Sequence, residues 1–279
     1  MKVISTNSEL QEVLSQLRKD KNQLGFVPTM GALHEGHINL VKKSIDENDT
    51  TIVSVFVNPK QFNNAEDFEK YPSTIKSDIE LLEKAGCDIL FAPESKEIYT
   101  NAYAPVSINL GQINDVFEGP LRPGHFDGVV QVVNILFELV QPDHAYFGLK
   151  DYQQCMVIKA LRDQRFPGVK ISLCPTVRSD SGLALSSRNK RLSAKGLETA
   201  AYIYKALKTV QELKKHIEPE DAIKYGIHIL RTHQVEVEYF ALANADTLQP
   251  SKKWLRSGKN VVLTAVWVEG VRLIDNLVF

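Results

Sequence analysis

The stretch Pro28-Thr29-Met30-Gly31-Ala32-Leu33-His34-Glu35-Gly36-His37 decides the fold, because it joins an apolar run to an amphipathic one through two glycines and two histidines. Upstream, Leu24-Gly25-Phe26-Val27 reads as a buried strand; downstream, Ile38, Leu40, Val41 and Ile45 recur near helical spacing with Lys42, Lys43, Asp46 and Glu47 between them. The turn therefore lies at a helix N-terminus, where unpaired backbone N–H groups and the positive end of the helix dipole favour an anion. Gly31 and Gly36 are expected to let phosphate oxygens approach the backbone. The same dipole disfavours an imidazolium, so His34 and His37 are expected to serve as neutral N–H donors. The plainer reading of the pair is a helix cap and a surface residue.

Working outward, strand and helix alternate. Ser8 can cap a first helix with Leu10, Val13, Leu14 and Leu17 on one face. The run Thr51 to Val57 is continuously apolar and β-branched, as expected of a parallel strand covered on both sides. Further strands are expected at Asp88 to Phe91, Ala145 to Phe147 and Val169 to Leu173, separated by helices near Ile75 to Ala85, Val129 to Val140 and Tyr152 to Arg165. This predicts a Rossmann-like α/β fold, a doubly wound parallel sheet that binds ligands at the carboxyl ends of its strands. After about Thr176 the pattern changes to helices around Leu197 to Leu213 and Asp221 to Leu230, then strands at Val235 to Leu242, Val261 to Val268 and Val271 to Leu277. Glu269-Gly270 is a hairpin turn signal. We therefore expect an N-terminal domain over 1–176 and a smaller α+β C-terminal domain over 177–279, built on an antiparallel sheet.

Composition narrows the function. Lys and Arg number 33 against 34 Asp and Glu, a net charge of -1, so no global field draws nucleic acid or anionic membrane. Cys87, Cys155 and Cys174 are few and widely spaced among apolar residues, which suits buried thiols in a reducing cytosol. The N-terminus lacks an apolar signal core and no stretch reaches the ~20 apolar residues of a membrane span, so a cytoplasmic protein acting on small molecules is expected.

Four more polar segments follow apolar ones. Asn58-Pro59-Lys60-Gln61-Phe62 leaves a strand where a side-chain amide can read a small polar substrate, although a simple turn also explains it. Glu118 to Val129 concentrates Gly and Pro around Arg122 and His125, and such a rigid approach can present a guanidinium to a carboxylate or phosphate. In Phe147-Gly148-Leu149-Lys150-Asp151-Tyr152-Gln153-Gln154, Gly148 lets a nucleotide lie against the backbone, Lys150 can reach phosphate, and Asp151 can cap the helix or accept from ribose hydroxyls. Leu183-Ala184-Leu185-Ser186-Ser187-Arg188-Asn189 places two hydroxyls and a guanidinium where they can clamp a triphosphate. Asp78, in the helix after Tyr71-Pro72, is a candidate metal-linked carboxylate, with helix surface the simpler reading.

These strings carry a resemblance. His-x-Gly-His after a strand is similar to the signature of the nucleotidyltransferase superfamily that includes class I aminoacyl-tRNA synthetases, and the five strings in order resemble the pantoate–β-alanine ligase family. The resemblance covers essentially the N-terminal two-thirds. It implies an ATP-dependent, AMP-forming acid–amine ligase of pantothenate biosynthesis, acting with Mg²⁺ on pantoate and β-alanine through a pantoyl adenylate, as a homodimer. His34, His37, Lys150, Ser186, Ser187 and Arg188 then carry catalysis. Met30, Gly31, Ala32, Leu33, His34, Glu35, Gly36, His37, Gly148, Leu149, Lys150, Asp151, Val177, Leu185 and Ser186 to Arg188 hold ATP, with the second domain as a lid. Gln61, Gln154, Asn58, Tyr71, Arg122 and His125 line the pantoate side.

Two departures stand out: Leu149 replaces a residue that is often acidic, and Asp180-Ser181-Gly182 lacks the usual acidic residue directly before glycine, which puts that turn in question. Arg272-Leu273-Ile274-Asp275-Asn276 resembles the family's terminal strand. The competing readings are a nucleotidylyltransferase, which would not need Gln61 and Gln154, and a non-catalytic adenine-nucleotide sensor, expected to have lost part of the His34/His37 or Ser186/Arg188 pairs.

Overall fold

A computed structural model describes residues 1–63, 68–69, 71–72, 74–100 and 102–279. The chain divides into two compact units. One comprises Met1–Leu110, Leu121–Leu149 and Gln154–Pro175; the other comprises Gly111–Pro120, Lys150–Gln153 and Thr176–Phe279.

The first unit is built on six parallel strands, β1 (Lys2–Ile4), β2 (Leu24–Thr29), β3 (Thr50–Val55), β4 (Ile89–Phe91), β5 (His144–Gly148) and β6 (Lys170–Cys174), in the order β1-β4-β3-β2-β5-β6. Its longer helices are α1 (Asn7–Lys19), α2 (Glu35–Glu47), α3 (Ile75–Ala85), α4 (His125–Val140) and most of α5 (Tyr152–Arg165). Phe26, Val27, Ile52, Val53, Leu90 and Phe91 are fully buried, which is why β2, β3 and β4 read as unbroken apolar runs rather than alternating ones. Chain progression runs from β2 outward through β3 and β4, and the next strand, β5, returns to the other side of β2. That reversal is the topological switch point of an open parallel sheet.

Local expectations differ from the structure in four places. The α1 cap is Thr6, not Ser8: the Thr6 hydroxyl accepts from Glu9 N–H while the Glu9 carboxylate reaches back, a reciprocal capping box. β1 has no counterpart in the sequence reading, because a three-residue edge strand carries no periodicity and forms only by pairing with β4. α4 begins at His125, one turn earlier than its apolar run, with Gly124 ahead of it in a left-handed conformation. The single helix expected over Leu197 to Leu213 is interrupted at Ala201, giving α6 (Ala194–Ala200) and α7 (Tyr202–Leu213).

The second unit carries the antiparallel sheet β7 (Glu236–Asn244), β8 (Asn260–Val268) and β9 (Val271–Val278), together with α6, α7 and α8 (Pro219–Thr232). Leu207, Val210, Leu230, Phe240, Val262 and Leu273 form its core. A Cβ on Gly226 of α8 would lie 2.8 Å from the Phe240 ring, so the glycine is what lets helix and sheet approach. Glu269 (φ 50°) and Gly270 (φ 72°) make the tight β8–β9 hairpin that their sequence announces. Gly111–Pro120 belongs here through polar ties. Buried Glu118 accepts from Arg272 at 2.8 and 2.9 Å and from the Tyr239 hydroxyl at 2.8 Å, and Gln153 donates to the carbonyls of Ile113 and Val116. Among the described residues no helix is long and apolar enough to cross a membrane.

Candidate functional site

The turn after β2 lies at the switch point, and it is held from beneath. Gly31 (φ 79°) and Ala32 (φ 51°) are both left-handed, and for alanine that backbone costs about 1–3 kcal/mol unless neighbours enforce it. Asp78 of α3 enforces it: one carboxylate oxygen accepts from Ala32 N–H at 3.0 Å and the other from Leu33 N–H at 2.9 Å, while Thr74 Oγ1 lies 3.2 Å from both. Asp78 is 1 % exposed, so the helix-surface reading is wrong. Its oxygens face N–H donors, the reverse of the setting a cation needs. The sequence could not signal this, because a lone acid in an amphipathic helix looks solvated until the partner turn is known.

The expectation of open backbone amides also changes. Gly31 N–H donates to Thr29 Oγ1, those of Ala32 and Leu33 to Asp78, that of His34 to His37 Nδ1, that of Gly36 to His34 Nδ1, and that of His37 to the His34 carbonyl. The turn satisfies these amides internally and presents imidazoles instead. His34 is the N-cap of α2, and the two rings lie 4.1 Å apart, centroid to centroid. Each Nδ1 accepts from an N–H and so carries no proton, which assigns both rings as the neutral Nε2–H tautomer. The neutral form of both rings thus follows from a different cause than the one expected, local hydrogen bonding. The glycines are needed for packing: a Cβ on Gly36 would sit 2.8 Å from His34 Cε1, and one on Gly31 3.0 Å from Val55.

Beyond β3, Asn58 and Gln61 are both buried and joined, Asn58 Nδ2 donating to Gln61 Oε1 at 3.1 Å. Gln61 Nε2 reaches Met30 Sδ at 2.6 Å, so the amide loop and the histidine turn meet. His125 Nδ1 lies 2.7 Å from the Gln61 carbonyl, an acceptor, and therefore donates to it; this ring holds the loop's main chain. Arg122 is half-buried and its carbonyl accepts from His125 N–H. Tyr71 packs edge-on against Phe62 at 5.7 Å. Gly148 ends β5 with an open face, since a Cβ there would meet nothing within 4 Å; Leu149 follows it. Gln154 is half-buried in the first turn of α5.

In the second unit, Lys150 Nζ pairs with Asp151 at 3.3 Å, and the Lys150 carbonyl accepts from Asn276 Nδ2 at 2.9 Å. Leu185 N–H donates to the Val177 carbonyl at 3.0 Å, closing a loop whose Gly182 N–H to Ser179 bond, 2.8 Å, shows that the turn in question forms. The Ser181 hydroxyl meets that of Ser179. Ser186 Oγ caps the short 3₁₀ turn Ser187–Arg191 by accepting from Arg188 N–H. The loop is anchored by a pair that sequence reading missed, Arg178 to Asp275 at 2.6 and 2.9 Å, with the Asp275 side chain only 2 % exposed. Ionic partners so far apart in the chain leave no local signal.

A family model described as pantoate-beta-alanine ligase matches residues 2–278. The chain belongs to the pantoate–β-alanine ligase family. It is similar to the pantothenate synthetases of Cytophaga hutchinsonii, 46 % identical over 99 % of this chain and 98 % of that one, and of Caldicellulosiruptor saccharolyticus, 42 % identical over 100 % and 99 %. Among solved structures it resembles pantothenate synthetase from Thermus thermophilus (TM-score 0.92, 40 % identity, 99 % of each chain) and pantoate-beta-alanine ligase from Francisella tularensis complexed with beta-gamma ATP and beta-alanine (TM-score 0.83, 37 % identity, 99 % and 97 %). Membership of the pantoate–β-alanine ligase family accounts for the architecture described above, a six-stranded parallel sheet followed by a small antiparallel one.

Proposed function

We propose that this chain condenses pantoate with β-alanine at the expense of ATP, releasing AMP and pyrophosphate. The pantoate carboxylate attacks the α-phosphorus, the bond to pyrophosphate breaks, and a pantoyl adenylate remains; the amine of β-alanine then attacks the acyl carbon, gives up a proton, and expels AMP. No side-chain nucleophile is required. Catalysis rests on positioning two anions and stabilising the charge that develops on phosphorus.

The observation that supports this reading is the contact of Gln61 with Met30, which joins the loop after β3 to the turn after β2 that carries His34 and His37. His34 and His37 donate through Nε2–H to phosphate oxygens. Gln61 and Gln154 read pantoate, Asn58 and His125 set the Gln61 loop, and Tyr71 and Arg122 border it. In the second unit Lys150, Ser186, Ser187 and Arg188 meet the phosphates, while Val177, Leu185 and Asp151 line the nucleotide. Among the described residues no group of three or more His, Cys, Asp or Glu is placed to hold a metal ion. The reading takes ATP as its Mg²⁺ complex, the ion bound to phosphate oxygens. The reducing cytosol suits three buried thiols, and the homodimer rests on the family resemblance.

Incubation with ATP, Mg²⁺, pantoate and β-alanine tests the reading. AMP and pantothenate should appear in equal amounts, and pyrophosphate exchange into ATP should need pantoate alone. Exchange supported by ATP without pantoate, or ADP as the product, would overturn it.

A further inference from the structure

The Gln61 carboxamide has two ends, and a site that reads a carboxylate must show its N–H₂ end. A buried chain of hydrogen bonds determines which end that is. Asn58, 1 % exposed, lies between a main-chain donor and a main-chain acceptor: Lys60 N–H donates to its Oδ1 at 3.1 Å, and its Nδ2 donates to the Gly128 carbonyl at 3.0 Å. Neither main-chain group can exchange roles. The second Nδ2 proton therefore goes to Gln61 Oε1, and Gln61 turns its Nε2 away from Asn58, toward Met30.

One side chain completes this chain from outside the motif. The Tyr99 hydroxyl lies 2.5 Å from Asn58 Oδ1, which can only accept, so the phenol donates. Burial pushes the Tyr99 phenol above its ordinary range, so it remains a donor throughout the working pH range. The ring is fixed by Phe56, 6.2 Å away, and by Lys60 Nζ, 4.0 Å above its face. Gly128 belongs to the same device, since a Cβ there would lie 2.3 Å from the Lys60 carbonyl and force α4 off the loop.

We propose that Tyr99 is a positioning residue for substrate specificity: through Asn58 it locks Gln61 with its N–H₂ end toward the substrate, so that the site selects an oxygen acceptor over a group that donates. This rests on the reading that Gln61 contacts pantoate. The two main-chain groups set the sense of the Asn58 amide and Tyr99 adds a third restraint; without it, Asn58 Oδ1 keeps one donor in place of two and the hold on the Gln61 amide loosens.

The test compares binding of pantoate and of its primary carboxamide, which has the same shape but carries an N–H₂ donor, to wild type, Tyr99→Phe and Gln61→Ala. Tyr99→Phe should weaken pantoate by roughly 3- to 10-fold, the worth of one net hydrogen bond, leave ATP unchanged, and narrow the preference for pantoate over the carboxamide. A merely structural role would weaken both acyl ligands in parallel, and that result, or an unchanged preference, would overturn the proposal. Gln61→Ala separates the two ideas. If it leaves pantoate binding intact, the reading of Gln61 fails; if it weakens pantoate while Tyr99→Phe shifts no preference, only the role of Tyr99 fails.

Discussion

The Asp78 carboxylate accepts from Ala32 N–H at 3.0 Å across 46 residues of sequence, and with its other oxygen it takes the next amide, that of Leu33. A buried acid thus shapes the backbone from which the histidine pair projects. Asp78→Asn keeps the volume but replaces one acceptor with an N–H₂, leaving a turn amide facing a donor. We expect a stability loss of about 1–3 kcal/mol, and adenylate formation slowed together with it because His34 shifts. Thermal unfolding and single-turnover pyrophosphate release measure the two effects; a variant with wild-type values in both would remove Asp78 from the account.

His34→Ala and His37→Ala should each slow adenylate formation by roughly 10²- to 10³-fold, the usual worth of a preorganised donor to transition-state charge. His34 also caps α2, so its variant should lose about 0.5–2 kcal/mol of stability besides. Single-turnover rates at saturating ATP and pantoate read the first effect and urea titration the second. Full adenylation rate with reduced stability would mark that histidine as structural.

Burial pushes the Cys87 thiol from 9.0 up to about 12. In the unfolded chain the thiol ionises first, so the unfolded state holds fewer protons between these values and stability falls as pH rises through that window. The slope is at most about 1.4 kcal/mol per pH unit. Urea midpoints from pH 8.5 upward should fall more steeply for wild type than for Cys87→Ala. Parallel slopes would place the thiolate in contact with solvent.

Ser186 caps the turn that carries Arg188, giving the loop a defined resting form that nucleotide binding can tighten. Amide hydrogen exchange across Leu183 to Asn189 should slow on adding ATP. Unchanged exchange, with binding verified separately, leaves Arg188 a surface charge.

Most of the parallel sheet was legible, because a strand buried on both faces writes its position as an uninterrupted apolar run, as in Thr50 to Val55. The hairpin at Glu269-Gly270 was legible for a local reason too, its demand for positive φ. The Thr6 cap was readable from Glu9 three residues on, although Ser8 drew attention instead. What stayed hidden depends on distant partners. Asp78 looked solvated because its acceptors serve amides 45 and 46 residues away, Tyr99 carries no motif, and the three residues of β1 acquire meaning only beside β4. The glycines of the His34 turn were noticed, but their reason was not: Gly36 makes room for an imidazole.

The discontinuous make-up of the second unit decides how this protein can be cut. Gly111–Pro120 is fastened to β7 and β9 by Glu118, Lys150–Gln153 to β9 by Asn276, and Gln153 ties the two segments to each other, yet both are encoded well before Thr176. A fragment starting at Thr176 would carry Arg272 without its buried counterion, and one ending at Pro175 would carry Glu118 without its guanidinium. Neither half is an autonomous module. Shuffling the C-terminal unit between relatives by a single crossover near residue 176 should therefore give insoluble or proteolysed products, whereas a graft that also transfers the two early segments keeps each charge with its mate.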